Sequence, residues 1–247
     1  MPIIGGGRKT QGAACNPSPC TGVTATLALG ADNTIRGLAD NPGNTTSVVL
    51  NGHTLTLAPL SGTFWSYAGS IVDGSSSGNF VQNGPGTSIL TGNSTYTGTT
   101  AVNAGILDVE GTLGGTSGVV VNSGGTLTGG GTIDPLTVTI NSGGTFAPGT
   151  PGMPGTSMTI IGNLAFQSGA LYVTQINSAA ATFANVTGTA SLGGTVVAVV
   201  EGSGLPQKQY TILKSAGLGG TTFSNVVSAD PNFATSLSYT NTNVPLN

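Results

Sequence analysis

Short runs of alternating hydrophobic and polar residues occur along most of the chain, and glycine-rich segments separate them. In residues 53–57, leucines alternate with threonines. In residues 136–140, Leu136, Val138 and Ile140 alternate with threonines, and we expect all three to face the core. An alternation with a period of two is the signature of half-buried β-strands. The pattern therefore predicts an all-β protein built from short strands.

The strand pattern repeats at a fixed interval in the middle of the chain. Asn103, Asn122 and Asn141 lie 19 residues apart, and each follows a valine or isoleucine. A short fixed period is typical of a solenoid, and this one is too short for a repeated pair of helices. We predict a single-stranded right-handed parallel β-helix with a C-terminal β cap, in which Val121 and Ile140 stack in one core column. The asparagines are expected to form a structural column at a turn, because Asn tolerates the left-handed region and can bond along a ladder.

Changes of rhythm divide the chain into three parts. Residues 1–22 are rich in Gly and Pro and are predicted to be an irregular leader. Residues 23–184 are predicted to form the β-helix coils, and residues 185–247, with longer apolar runs, the C-terminal cap. Within the coils, residues 147–155 are crowded with Pro and Gly, which disfavour a strand ladder. We expect them to form a protruding loop.

Composition and charge exclude several classes of function. Only 5% of the 247 residues are charged, and the net charge is −3. The few Lys and Arg residues are scattered, whereas nucleic-acid binding needs clustered cations that neutralise phosphates. No stretch approaches the roughly 18 apolar residues of a membrane-spanning helix. The sequence therefore predicts neither a nucleic-acid partner nor a transmembrane segment in this chain.

Cysteine and histidine are too rare for a metal centre. Cys15 and Cys20 enclose four residues, and His53 is the single histidine. A structural zinc site needs four ligands, which this set cannot supply. We expect a local disulfide between the two cysteines, with free thiols as the alternative, and no cofactor.

Candidate catalytic residues are sparse. Acid–base chemistry on polysaccharides needs clustered carboxylates, but most acids here are isolated. Asp108 and Glu110 share a strand face, and we interpret them as part of a solvated face. Phe64, Trp65 and Tyr67 are interpreted as coil packing or an end cap, with a sugar-stacking platform as the alternative. These features predict a non-enzymatic protein.

Two parts of the chain resemble secreted autotransporters. Three blocks of the sequence resemble the autotransporter-associated β-strand repeat: Gly78–Thr87, Leu90–Gly105 and Leu107–Val109. Residues 185–247 resemble the autochaperone region that precedes the membrane barrel in that family. The core of this autochaperone-like segment is expected to contain Tyr210, Ile212, Leu213, Phe223, Leu237 and Tyr239.

The resemblance implies a passenger domain of a type V secreted protein of a Gram-negative bacterium, located outside the cell or on its surface. Its implied partner is its own outer-membrane β-barrel, and we expect neither this barrel nor a signal peptide within residues 1–247. The implied function is a surface stalk or adhesin-like spacer with a C-terminal folding template, and a host-surface or glycan ligand stays open. The alternatives are a β-helical carbohydrate-binding or carbohydrate-active protein, and an orphaned structural fragment of a longer autotransporter.

Overall fold

The computed structural model describes residues 24–40, 44–202 and 209–247. These residues are all-β, with parallel strands stacked as a β-solenoid of about 8 turns, which confirms the predicted fold. The strands are β1 (Thr24–Ala28), β2 (Asn33–Ile35), β3 (Thr45–Val49), β4 (Thr54–Leu57), β5 (Phe64–Tyr67), β6 (Ser70–Val72), β7 (Asn79–Leu90), β8 (Asn93–Ser94), β9 (Thr99–Val109), β10 (Thr112–Leu113), β11 (Gly118–Val121), β12 (Gly125–Gly129), β13 (Thr132–Ile133), β14 (Thr137–Ile140), β15 (Thr145–Pro148), β16 (Ser157–Ile160), β17 (Asn163–Phe166), β18 (Leu171–Ile176), β19 (Phe183–Val186), β20 (Ala190–Ser191), β21 (Thr195–Val200), β22 (Tyr210–Lys214), β23 (Asn225–Ser228) and β24 (Asn243–Leu246). In the described ranges, no helix has the length and apolar character needed to cross a membrane.

Most of these strands form three lateral faces. Face 1 contains β2, β4, β11, β14, β17, β20 and the first halves of β7 and β9. Face 2 contains β5, β12, β15, β18, β21, β23 and the second halves of the same two long strands. Face 3 contains β8, β10, β13, β16, β19, β22 and β24, and a three-stranded sheet of β1, β3 and β6 lies at the N-terminal end. The long strands β7 and β9 therefore continue from one face to the next.

Equivalent residues of successive coils stack in columns that fill the interior. On face 1, Val102 pairs with Val121, Val121 with Ile140, and Ile140 with Phe166. All four side chains are buried. The predicted stacking of Val121 on Ile140 is thereby confirmed, and the 19-residue spacing corresponds to one coil. Apolar burial in such columns is the main stabilising contribution, and it accumulates from coil to coil.

One predicted core residue lies on the outside. Val138 and Ile140 are buried, but Leu136 is 78% exposed. Leu136 lies between Pro135 and the first residue of β14. Alternation determines the direction of a side chain only within a paired strand, and Leu136 precedes that ladder. The expectation for Leu136 was therefore wrong.

Residues 147–155 do not protrude freely. Residues 147 and 148 belong to β15, and the segment that follows lies back against the solenoid. The Gly152 amide donates a hydrogen bond to Gln175 Oε1 at 2.8 Å, and the Gly155 amide donates to the Ala181 carbonyl at 3.1 Å. Below, residues 149–156 are called the flank loop. These long-range bonds hold the flank loop against face 2, contrary to the prediction of a protruding loop.

The predicted leader, residues 1–22, lies outside the described residues, as do Cys15 and Cys20. The predicted boundary between residues 184 and 185 falls inside β19. At the C-terminal end, β24 pairs with β22 in the antiparallel direction, whereas the other ladders between the strands given above are parallel. An antiparallel strand on the last rung covers part of an edge that would otherwise present unpaired backbone groups.

Candidate functional site

The three periodic asparagines form a hydrogen-bonded ladder. Asn122 Nδ2 donates to Asn103 Oδ1 at 2.7 Å, and Asn141 Nδ2 donates to Asn122 Oδ1 at 2.7 Å. Each side chain follows a buried residue of face 1 and is partly buried itself. In this arrangement each amide bonds to the equivalent group of the neighbouring coil. The column therefore links three successive coils through side-chain hydrogen bonds.

The left-handed backbone at this corner belongs to glycines. Gly105, Gly124 and Gly143 each lie two residues after one of the asparagines and have φ values of 66°, 84° and 76°. Among the described residues other than glycine, positive φ occurs at Asn51. A positive φ is unfavourable for residues with a Cβ and readily adopted by glycine. The conformation that we expected at the asparagines therefore lies at these glycines.

Replacing the central asparagine tests the ladder. We expect Asn122→Ala to lower the free energy of unfolding by about 1–2 kcal/mol, because two partly buried hydrogen bonds are lost. Urea unfolding followed by circular dichroism measures the change. Ser123→Ala is the control, because Ser123 is the exposed neighbour of Asn122. Equal stability of the two variants would contradict a role for the ladder.

The residues predicted to form the autochaperone-like core lie in β22 and in the segments on either side of β23. Four of them, Tyr210, Ile212, Leu213 and Phe223, are buried. The other two, Leu237 and Tyr239, are partly buried and pack against the core. The Phe223 amide donates a hydrogen bond to the Tyr239 hydroxyl at 3.1 Å, which ties the last segment to the coil.

An aromatic cluster joins this C-terminal part to the preceding coils. The Phe223 ring lies 5.3 Å from Phe166 and 5.6 Å from Tyr172, measured between centroids. The buried Tyr172 hydroxyl donates to the Ile212 carbonyl and accepts from the Ala184 amide at 3.2 Å. Aromatic pairs at such distances stabilise beyond the area that they bury. The junction is therefore apolar, with its buried hydroxyl satisfied.

A groove of about 380 Å³ runs along face 2 beside the flank loop. Its lining side chains come from β7, β9, β12, β15 and β18, and the flank loop closes one side. The lining residues are Thr87, Ile106, Asp108, Thr126, Thr128, Ala147, Pro148, Gly149, Pro151, Val173, Gln175 and Thr182. The outward face of the solenoid thus offers a mostly apolar channel with hydroxyl, amide and carboxyl groups.

Two carboxyl groups meet at the edge of this groove. Asp108 is 8% exposed and Glu110 is partly buried, so the expectation of a solvated face was wrong. The Thr150 hydroxyl of the flank loop donates to Glu110 Oε2 at 3.0 Å. Sequence alone gave no sign of this burial, because the covering residues lie 40 positions away.

The environment of Asp108 changes the acidity of its carboxyl group. Burial, followed by the negative charge of Glu110, raises the pKa of Asp108 to about 6. A carboxylate that loses water and meets a second negative charge binds its proton more tightly. The i, i+2 spacing of two acids on one strand was the available sequence signal for this pair.

The aromatic cluster of residues 64–67 divides between core and surface. Tyr67 is buried, whereas Phe64 is 74% and Trp65 40% exposed. The Trp65 ring covers the backbone of Gly37, where a Cβ atom would lie 2.2 Å from the ring. Phe64 pairs in register with Thr87, which lines the groove. Packing accounts for Tyr67, while Phe64 leaves an aromatic surface on the rung next to the groove.

Comparison with known proteins agrees with this architecture. Residues 80–109 match the passenger-associated-transport-repeat family. The chain is also 49% identical over 80 residues to the adhesin BmaC autotransporter of Brucella suis biovar 1 (strain 1330). That alignment covers 32% of this chain and 2% of the relative, so the chain spans a small part of the length of the relative.

These similarities confirm the resemblance to autotransporter passenger domains with repeats, and they support an extracellular or cell-surface location in Gram-negative bacteria. The matched residues coincide with β7, β8 and β9. Because β7 and β9 continue from face 1 to face 2, the repeat contributes one side of the groove and the first asparagine of the ladder.

Proposed function

We propose that this autotransporter passenger segment acts outside the cell as a non-enzymatic stalk or adhesin-like spacer. The observation that carries the proposal is the passenger-associated repeat set within a continuous solenoid of about 8 turns. At about 4.8 Å per coil, the stack extends about 40 Å along its axis. Such a rod would act as a spacer between the protein segments attached to its two ends and would not catalyse a reaction.

The geometry of the acids supports a non-enzymatic assignment. Glycoside hydrolases hold their two carboxyl groups about 5–9.5 Å apart, with the sugar bond or a water between them. Asp108 and Glu110 are the two acids beside the groove, and Glu110 Oε2 accepts a hydrogen bond from the Thr150 hydroxyl of the flank loop. The groove lining contains no His, Lys or Arg among its described residues. Neither of the two alternative functions is favoured by the comparisons.

A passenger of this kind implies a linked outer-membrane β-barrel as its partner. We further propose that residues 185–247 provide the folding template for the coils that precede them. The aromatic junction of Phe166, Tyr172 and Phe223 supports this role, because it would give the last coils a firm surface on which others stack. Since a solenoid folds by nearest-neighbour contacts, a stable end can nucleate the remainder.

For ligand contact, we propose the surface formed by Phe64 and the groove of face 2, with a host-surface glycan as the class of ligand. Exposed aromatic rings present an apolar face with little conformational entropy to lose on binding, and the groove hydroxyls can donate and accept hydrogen bonds. The relative is an adhesin by its name, which supports an adhesive role here.

Binding of the purified chain to an array of mammalian cell-surface oligosaccharides tests this proposal. We expect Phe64→Ala to weaken binding at least about fivefold, which corresponds to about 1 kcal/mol. Leu136→Ala is the matched control, because Leu136 is a similarly exposed apolar residue away from the groove. Equal binding by the two variants, or no binding by the unaltered chain, would contradict the glycan surface and leave the stalk role standing.

A further inference from the structure

Two carboxyl oxygens beside the groove are buried without a hydrogen-bond donor. They are Asp108 Oδ1 and Glu110 Oε1. The Asp108 side chain is 8% exposed and lines the groove, so its oxygen has little access to bulk water. A buried carboxylate without a partner is unfavourable, and native proteins normally pair such groups. Something positively charged is therefore needed at this point.

No side chain of the groove supplies that charge. Its described lining contains no Lys, Arg or His, and Glu110, the charged group that acts on Asp108, is itself an acid. The facing groups from the packed strands and the flank loop are neutral: Thr128, Gln175 and Thr150. The compensating positive charge must therefore come from solution.

We propose that Asp108 and Glu110 bind a divalent cation of the calcium type at the edge of the groove, next to Thr150. Two carboxylates balance the charge of one such ion. Calcium accepts a flexible shell of about 6–8 oxygens, including water, whereas magnesium demands a stricter octahedron. The Thr150 hydroxyl and groove water are available as further oxygens.

The site has few acidic ligands, which sets its strength. In the described residues, no group of three or more His, Cys, Asp or Glu side chains forms a metal site. Affinity for calcium decreases as the number of charged ligands decreases. Extracellular modules bind calcium with dissociation constants of about 10⁻⁴–10⁻³ M. An extracellular location, part of the proposed function, would provide calcium in that range; the binding itself does not depend on adhesion.

The packing around Gly130 connects this site to the flank loop. A Cβ atom at Gly130 would lie 2.7 Å from Thr150 Oγ1 and 3.1 Å from Glu110 Oε2. A side chain there would push the two oxygens apart, so glycine permits the flank loop to approach Glu110. A cation held at this point would fasten the flank loop to β9 and stabilise one side of the groove.

Calcium titration of the full chain tests the site. After dialysis against EDTA, isothermal titration calorimetry at about pH 7.5 should show binding with a dissociation constant of about 0.1–1 mM, and the melting temperature should rise with calcium. Asp108→Asn and Glu110→Gln should each weaken binding at least about tenfold. Asp134→Asn, which alters an exposed acid outside the groove, should bind calcium as the unaltered chain does.

Two results would overturn the proposal. An equal calcium response in Asp108→Asn, Glu110→Gln and the unaltered chain would place the cation elsewhere. No response in the unaltered chain would mean that a proton, shared by the two carboxyl groups, is the neutralising charge. Because the folded pKa of Asp108 is raised to about 6, its stabilising contribution would then be complete below about pH 4 and lost as the pH rises through about 6. Asp108→Asn would remove that pH dependence.

Discussion

Val121→Asp is expected to unfold the coils around β11. Val121 is fully buried in the column between Val102 and Ile140, so the carboxylate would lie in an apolar interior without a partner. Burial of an unpaired charge is among the most destabilising single changes, and we expect a loss of about 4 kcal/mol or more. Thermal unfolding followed by circular dichroism measures the loss.

Val120→Asp is the matched control for this prediction. Val120 is the preceding residue of the same strand, and its partly exposed side chain faces outward. The same chemical change there keeps the carboxylate in contact with water and should cost about 1 kcal/mol or less. If Val120→Asp destabilised the protein as much as Val121→Asp, the in-and-out alternation of β11 would be contradicted, since a slip of one residue exchanges the two faces.

Truncation after Thr187 is expected to leave the remaining coils sensitive to protease. The truncation removes β20–β24, and with them the Phe223 ring and the Ile212 carbonyl that cover Tyr172. Loss of these contacts would expose the aromatic rings of the junction and open the last strand edges. If the C-terminal part templates folding, the loss of folded structure should extend along the whole solenoid, because each coil depends on its neighbour. Limited proteolysis followed by mass spectrometry measures it.

Removal of residues 1–44 is the control, because it shortens the solenoid at its opposite end. That truncation also opens strand edges, because β3 loses its partner β1 and β4 loses its partner β2. It leaves the aromatic junction and the antiparallel pair of β22 and β24 intact. We expect the remainder to stay resistant to protease. If both truncations are equally sensitive, or if the C-terminal truncation stays resistant, the template role is contradicted.

The sequence predicted the fold correctly because the determining patterns are local. Alternation with a period of two shows which residues of a strand face the core and which face solvent. A fixed spacing of 19 residues shows which residues of successive coils lie next to each other. The register of Val102, Val121 and Ile140 follows directly from these two numbers. The passenger repeat was recognisable for the same reason, since its identity lies in the order of contiguous blocks.

The candidate site was not predictable in the same way. Asp108 and Glu110 were assigned to a solvated face because residues two positions apart share one side of a strand, and the sequence shows nothing that covers that side. Burial came from the flank loop, whose Thr150 bonds to Glu110 across 40 residues. Whether a loop lies against a face or extends from it depends on long-range partners such as Gln175. No pattern within the loop records those partners.

The sequence by itself determined that this chain stacks parallel strands into a solenoid, that it resembles autotransporter passengers, and that Val121 and Ile140 share an inner column. Only the tertiary structure decided what covers the outer faces: the buried acid pair, the groove beside it, the exposed Phe64 and the exposed Leu136. The physical reason is that the core of a solenoid consists of the same contacts between neighbouring coils, made again in each coil. A repeat in the sequence therefore reveals those contacts. The outer surfaces depend instead on unrepeated contacts between distant segments, which form only once the chain has folded.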